Sequence, residues 1–165
     1  MKLHQNDAIL TLSDETTTVT SMNFLTFEDN YLAGHSPERK IIMTNKEKAL
    51  ALIGTFVSGD TAKAKELLAT GYIQHNLAFG TGADAFVAAV EGLAQAPVKT
   101  TVNNIRAFED GDKVFLQTVY NFAGAGEQVG FDVFRFDEDG KIAEHWDVME
   151  TLADKSTWAN ENGKF

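Results

Sequence analysis

The sequence predicts an α+β fold, and three observations predict it. Helical spacing of apolar residues runs from about residue 44 to 95 and is followed only by strand-like segments, the order of an α+β domain. Several of those strands are apolar on both faces, as in a sheet covered on both sides. The last two form a hairpin whose arms carry Asp132, His145 and Asp147 among aromatics. Burying a carboxylate is costly unless it is paired or neutralised, so acids inside such arms mark either an acid/base site or a solvated strand face.

Composition bounds the answer. With 165 residues the chain fits a domain with a sizeable core. The net charge of −10 argues against a nucleic-acid surface and against anionic membranes. With no cysteine, disulfides, thiolate metal sites and cysteine nucleophiles are excluded. No apolar run approaches the ~20 residues of a membrane span, and the first residues show no signal-peptide stretch, so the cytoplasm is the expected location.

Residues 1–42 read as an N-terminal extension, one or two strands or a flexible arm, rich in threonine and ending in Gly34-His35-Ser36-Pro37. The domain proper spans 43–165. Thr44 or Asn45 caps a helix through Phe56, with Ala49, Leu52, Ile53 and Phe56 at helical spacing. Asp60 caps a second short helix that places Ala64, Leu67 and Leu68 inward, with Gly71 as its left-handed stop. Residues 72–76 are a short extended piece. Ala83 to Gln95 is a third helix, ended by Pro97. Strands follow over 98–108 and 113–122, and then the hairpin with its Asp137-Glu138-Asp139-Gly140 turn. A four-residue turn pairs Phe136 with Lys141, puts Asp132, His145 and Asp147 on one face, and brings Arg135 near Glu144. A three-residue turn with a bulge at Gly140 moves Asp132 to the face of Trp146.

Two segments, Tyr72-Ile73-Gln74-His75-Asn76 and the run from Gly140 to Val148 with its His145-Trp146-Asp147 core, resemble the SnoaL-like polyketide cyclase group of the nuclear transport factor 2-like superfamily. The similarity covers residues 43–152. It implies a cone-shaped barrel, a curved, mainly antiparallel sheet wrapped around N-terminal helices, with a pocket in its mouth. It also implies cofactor-free acid/base chemistry of the aldol or enolate type, as in a cyclase, lyase or isomerase acting on a small apolar carbonyl compound. Asp147 matches the acid/base aspartate of the last strand. Asp132 stands where the cyclases carry a histidine, which puts the substrate in question.

The expected catalytic set is Asp147, His75, Asp132 and His145. Asn76, Tyr120, Phe134, Trp146 and Phe86 are the expected substrate contacts. A carboxyl against apolar walls suits proton shuttling, and a nearby imidazole can serve an enolate oxygen. Each has a plainer reading: His75 as a strand-end bridge, His145 on the outer face or at a dimer contact, Asp132 as a structural partner of His145, Trp146 as packing. No metal is expected, since only His145-x-Asp147 has close ligand spacing, and the resemblance implies no cofactor. A homodimer through the sheet is expected, with Phe115, Val119 and Phe131 uncovered. The alternative to an enzyme is a non-catalytic binding or dimerisation domain of the same fold, which bulky Phe79, Phe86 and Phe134 closing the pocket would favour.

Overall fold

The computed structural model describes residues 42–165, and the expected N-terminal extension lies outside them. Among the described residues three helices and a five-stranded sheet follow in the order α1 (Asn45–Ser58), α2 (Thr61–Leu67), β1 (Leu68–Gln74), α3 (Ala83–Gln95), β2 (Thr101–Asp110), β3 (Lys113–Asn121), β4 (Gln128–Phe136) and β5 (Ile142–Thr151). The sheet order is β1-β5-β4-β3-β2, open at both edges, with β1 parallel to β5 and every other pair antiparallel. The α+β cone-like architecture is the one expected.

Local chemistry explains the helix ends. Thr44 and Glu47 form a reciprocal capping box at the start of α1, and Gly59, at φ 72°, closes it in the left-handed region. Asp60 accepts from the Lys63 amide to start α2. The two departures from expectation are tertiary in origin. Leu68 is a strand residue paired with Ile142, so α2 stops at Leu67 and Gly71 lies inside β1 instead of ending a helix. The buried pairing with β5 overrides the continuation of the helical pattern. Likewise β2 begins at Thr101, because Val98 is 53% exposed and packs no ladder.

The helices cover one face of the sheet. Leu52, Ile53 and Phe56 of α1 and Phe86 and Val90 of α3 pack with Val114, Leu116, Phe134 and Ile142 of the strands in one buried cluster. Alternation along each strand therefore sorts side chains cleanly: Asp132 and Phe134 point to the helices, and Phe131 and Val133 point away.

The hairpin register differs from the expected one by an even step. Phe136 pairs with Ile142 and Arg135 with Glu144, with a bulge between, while Gly140, at φ 68°, closes the Asp137–Gly140 turn. Asp132 thus sits opposite Asp147 instead of His145. An even shift keeps every side chain on its face, so Asp132, His145 and Asp147 do share one, and Arg135 bonds Glu144 at 2.9 Å.

Candidate active site

A hydrogen-bonded row of side chains crosses four adjacent strands on the helix-covered face. Gln74 of β1 pairs with His145 of β5, and Asp132 of β4 lies between His145 and Tyr120 of β3. His145 Nδ1 is 2.9 Å from Gln74 Oε1, and its Nε2 is 3.1 Å from Asp132 Oδ1. The Tyr120 hydroxyl donates to Asp132 Oδ2 at 2.8 Å. Beyond Gln74, its Nε2 donates to the Tyr72 hydroxyl at 3.1 Å. Asp132, His145, Tyr120 and Tyr72 are all buried. Such groups persist in an apolar interior only when mutually satisfied. Among the described residues no buried side-chain nitrogen or oxygen lacks a partner.

The row fixes where protons sit. The backbone amide of Asn76 donates to Gln74 Oε1 at 3.0 Å, so that oxygen is an acceptor and Nδ1 of His145 must carry the hydrogen facing it. The other ring nitrogen faces an Asp132 oxygen, and one proton lies between them. Phe134, directly opposite His145, stacks on the imidazole with centroids 4.4 Å apart and planes 15° apart. Burial, and then the adjacent Asp132 charge, push the Tyr120 phenol well above its ordinary range. Burial, then Asp147 and Asp132, raise Tyr72 in the same way.

Asp147 completes the group from the opposite residue of β5. Asn76 Nδ2 donates to its Oδ2 at 2.5 Å, and an Asp147 oxygen, an Asp132 oxygen and a His145 nitrogen lie within 4.8 Å of one another. The enclosing walls are Ile53, Phe56, Phe79, Phe86, Phe134 and Met149. The open space among them is about 20 Å³, room for one water. Asp132, His145 and Asp147 are also legitimate metal ligands at workable separations. Both nitrogens of His145 and both oxygens of Asp132 are, however, already engaged with each other, with Gln74 and with Tyr120. The donor set as arranged suits proton transfer.

Asp147, Asp132, His145, Asn76, Tyr120, Phe134 and Phe86 therefore line one cavity. His75 and Trp146 do not, which corrects their expected place in the site. Gln74 faces inward, so its neighbour His75 faces outward. There its ring stacks on Trp146, with centroids 4.9 Å apart and planes 7° apart, and its Nε2 meets Glu144 Oε1 at 2.9 Å. Trp146 is outward for the same reason, between His145 and Asp147. Gln74, Tyr72, Met149 and Gly130 are site residues that the expected set lacks. The signal for Gln74 was its two-residue spacing from Asn76. For Gly130 it was a glycine in mid-strand, which marks a close approach. A Cβ there would stand 2.7 Å from the Tyr120 ring, so Gly130 is the space in which that ring lies.

A sheet covered by helices on one face around a small polar-ended cavity is the α+β fold of nuclear transport factor 2-like proteins. Within that class the profile of the SnoaL-like domain family matches residues 49–145, and the chain belongs to that family. Among solved structures it is similar to a nuclear transport factor 2-like protein of unknown function from Cytophaga hutchinsonii (17% identity, 67% of this chain and 94% of that one, TM-score 0.57). It is also similar to IdmH of Streptomyces antibioticus, a candidate polyketide cyclase (21% identity, 66% and 93%, TM-score 0.52). A third likeness is to a Mycobacterium tuberculosis epoxide hydrolase of the LEH-like type (17% identity, 65% and 86%, TM-score 0.51). At these identities the likeness is one of fold. A search of curated proteins found no match. Among the described residues no helix is long and apolar enough to cross a membrane.

Proposed function

We propose that this chain is a cofactor-independent acid/base enzyme acting on a small apolar carbonyl compound, with Asp147 as the base and the Asp132–His145 pair as the acid. The observation that carries the reading is the convergence of Asp147, Asp132 and His145 within 4.8 Å of one another inside an apolar enclosure. In the reaction an Asp147 oxygen takes the proton from the carbon next to the carbonyl. The electron pair of that C–H bond moves into the C–C bond and the carbonyl π pair onto oxygen. The proton held between Asp132 and His145 passes to that oxygen, giving an enol. Its carbon can be reprotonated, as in an isomerase, or can attack a second carbonyl of the same molecule, as in an aldol cyclase. Tyr120 and Gln74 hold Asp132 and His145 in place throughout.

A second reading, a non-catalytic ligand-binding domain, draws support from the enclosure by Phe79, Phe86 and Phe134 around only about 20 Å³. The two differ in a direct measurement: exchange of α-protons for solvent deuterium on a panel of enolisable ketones, followed by NMR. The enzyme reading expects exchange in the wild type and a loss of ~10²- to 10⁴-fold in Asp147→Asn, with the fold intact. Ligand-induced shifts without any exchange would assign the chain to the binding class.

A further inference from the structure

Phe79 is a wall of two separate spaces. On its inner side is the polar cavity, with room for a single water. On its outer side is a groove of about 330 Å³, lined by Phe79, Ala89, Gly92, Leu93 and Phe122 and wide open to solvent. We infer that Phe79 is a door between them, and that the two spaces receive one ligand, a flat apolar body in the groove with a single carbonyl end at Asp147 and His145. The inference rests on the cavity's being the ligand site; the door itself does not depend on catalysis.

Among the aromatic walls, Phe79 is the one free to move. Phe56 and Phe86 project from helices and Phe134 from a central strand, all into the core. Phe79 lies on the connection between β1 and α3, beside Leu77, which is fully exposed, and before Gly82, at φ 91° and with nothing near the position of a Cβ. Its ring is half-buried and meets Phe56 at a centroid distance of 6.3 Å, so swinging it out forfeits far less packing than moving Phe86. With the ring displaced, the groove and the cavity join into a space within the ~300–1,000 Å³ range of small-molecule sites.

The groove also states the ligand's chemistry. Its walls are apolar, and Phe122 is held flat by stacking on Tyr120, with centroids 5.1 Å apart. A planar conjugated body fits there, and polar hydrogen-bonding groups occur only at the inner end. Asn76 connects the two ends. Its Nδ2 donates to Asp147, while its carbonyl and Oδ1 accept from the amides of Phe79 and Ala78 at 3.1 and 2.8 Å. The turn that carries the door is thus tied to the residue that holds the base.

The test uses Prodan, a naphthalene bearing one ketone whose emission shifts to the blue in an apolar site. The wild type should bind it with association slowed by the door. Phe79→Ala should speed association about tenfold or more, because binding no longer waits for a conformational change. Gly92→Phe fills the groove from a position where an added Cβ meets nothing within 4 Å, so it should weaken affinity about tenfold without disturbing the helix. Circular dichroism checks that both variants are folded, and Gly92→Phe alone decides if Phe79→Ala is not. A change below about threefold in either folded variant, or no blue-shifted binding at all, overturns the proposal. The pattern of Prodan binding with no α-proton exchange on any ketone would instead sink the acid/base reading and leave the door standing.

Discussion

Asp132 and Asp147 stand opposite each other on β4 and β5, and His145, two residues before Asp147, reaches diagonally across to bond the first of them at 3.1 Å. Two carboxyls are thereby given different settings on one small patch of sheet. Asp132 is held by a phenol and an imidazole and is sealed from solvent. Asp147 is half-buried and bonded to an amide. The first is held by two side-chain partners and the second by one.

That difference predicts a stability contrast. Asp132→Ala strands a buried imidazole and a buried phenol together, and should cost about 2–6 kcal/mol, about 1–3 kcal/mol for each buried group left without its partner. Asp147→Asn keeps shape and an acceptor for Asn76, and should melt within a few degrees of the wild type. Thermal unfolding followed by circular dichroism checks both. Equal melting temperatures for the two variants would contradict that difference in burial and bonding.

Gly130→Ala should displace Tyr120. The new methyl would stand 2.7 Å from Cε2 of that ring, and the ring carries the hydroxyl that Asp132 accepts. Overpacking of this kind costs about 1–3 kcal/mol. The distinguishing readout is NMR of the His145 ring: its shifts should move because Asp132, whose Oδ2 the new methyl would also meet at 3.5 Å, loses one of its two donors. An unchanged imidazole spectrum would mean the phenol does not tune the pair.

How much of this was legible follows residue by residue. The helix caps at Thr44, one of two candidates with Asn45, and at Asp60 were readable, because capping is local chemistry and each lies within three residues of the amide it binds. The shared face of His145 and Asp147 was readable too, since strand alternation has a period of two, whereas Asp132 joined it under the four-residue turn and left it under the bulged one. The register itself was not, because it depends on the bulge between Arg135 and Phe136, which nothing in the turn sequence dictates. The inward side of residues 72–76 was equally hidden. Either Gln74 or His75 could face in, and the choice is made by the parallel pairing of Gln74 with His145, a contact 71 residues away in sequence. A histidine drew attention as the chemist's residue, while the glutamine beside it holds the site.

Alkaline titration should separate the tyrosines of the site from ordinary ones. Burial and neighbouring carboxylates raise Tyr72 and Tyr120 above the usual value near 10. A group whose folded pKa is raised contributes stability that is fully present below its unfolded pKa and is lost as pH rises toward the folded one. Stability should therefore fall from about pH 10 upward, and these two phenols should ionise only as the protein unfolds. Phenolate absorbance measured alongside circular dichroism checks this. Ionisation of both in a still-folded protein would contradict the burial described.

A fragment comprising residues 43–165 should fold alone. Its helices, its five-stranded sheet and the clustered core from Ala49 to Ile142 supply the packing that a domain of this size needs. Cooperative thermal melting of the fragment is the expected result, and an aggregated or non-cooperative product would show that residues 1–42 are integral.

The outer face of the sheet should join two copies of the chain. Phe108, Phe131 and Val148 are 59%, 40% and 72% exposed, and half-buried Phe115, Val133 and Trp146 lie between them on adjoining strands. Phe115 links the row, its ring 6.4 Å from Phe108 and 6.0 Å from Phe131. Val119, expected to be uncovered, is buried in the single chain, so the patch is displaced toward the other end of the strands. At that covered end the C-terminal segment crosses the sheet, where Gln117 donates to the Lys164 carbonyl at 2.9 Å. Scattered apolar residues on a surface are ordinary, but a contiguous aromatic row across four strands is what association faces look like. A flat apolar face of one strand set is self-complementary under a two-fold axis, the commonest symmetry of soluble oligomers. Light scattering should give twice the 18.1 kDa chain mass at micromolar concentration. Phe131→Asp places a charge at the centre of the row, away from the cavity, and should yield folded monomer. A wild-type mass of one chain would remove the dimer, and a dimer untouched by Phe131→Asp would move its interface elsewhere.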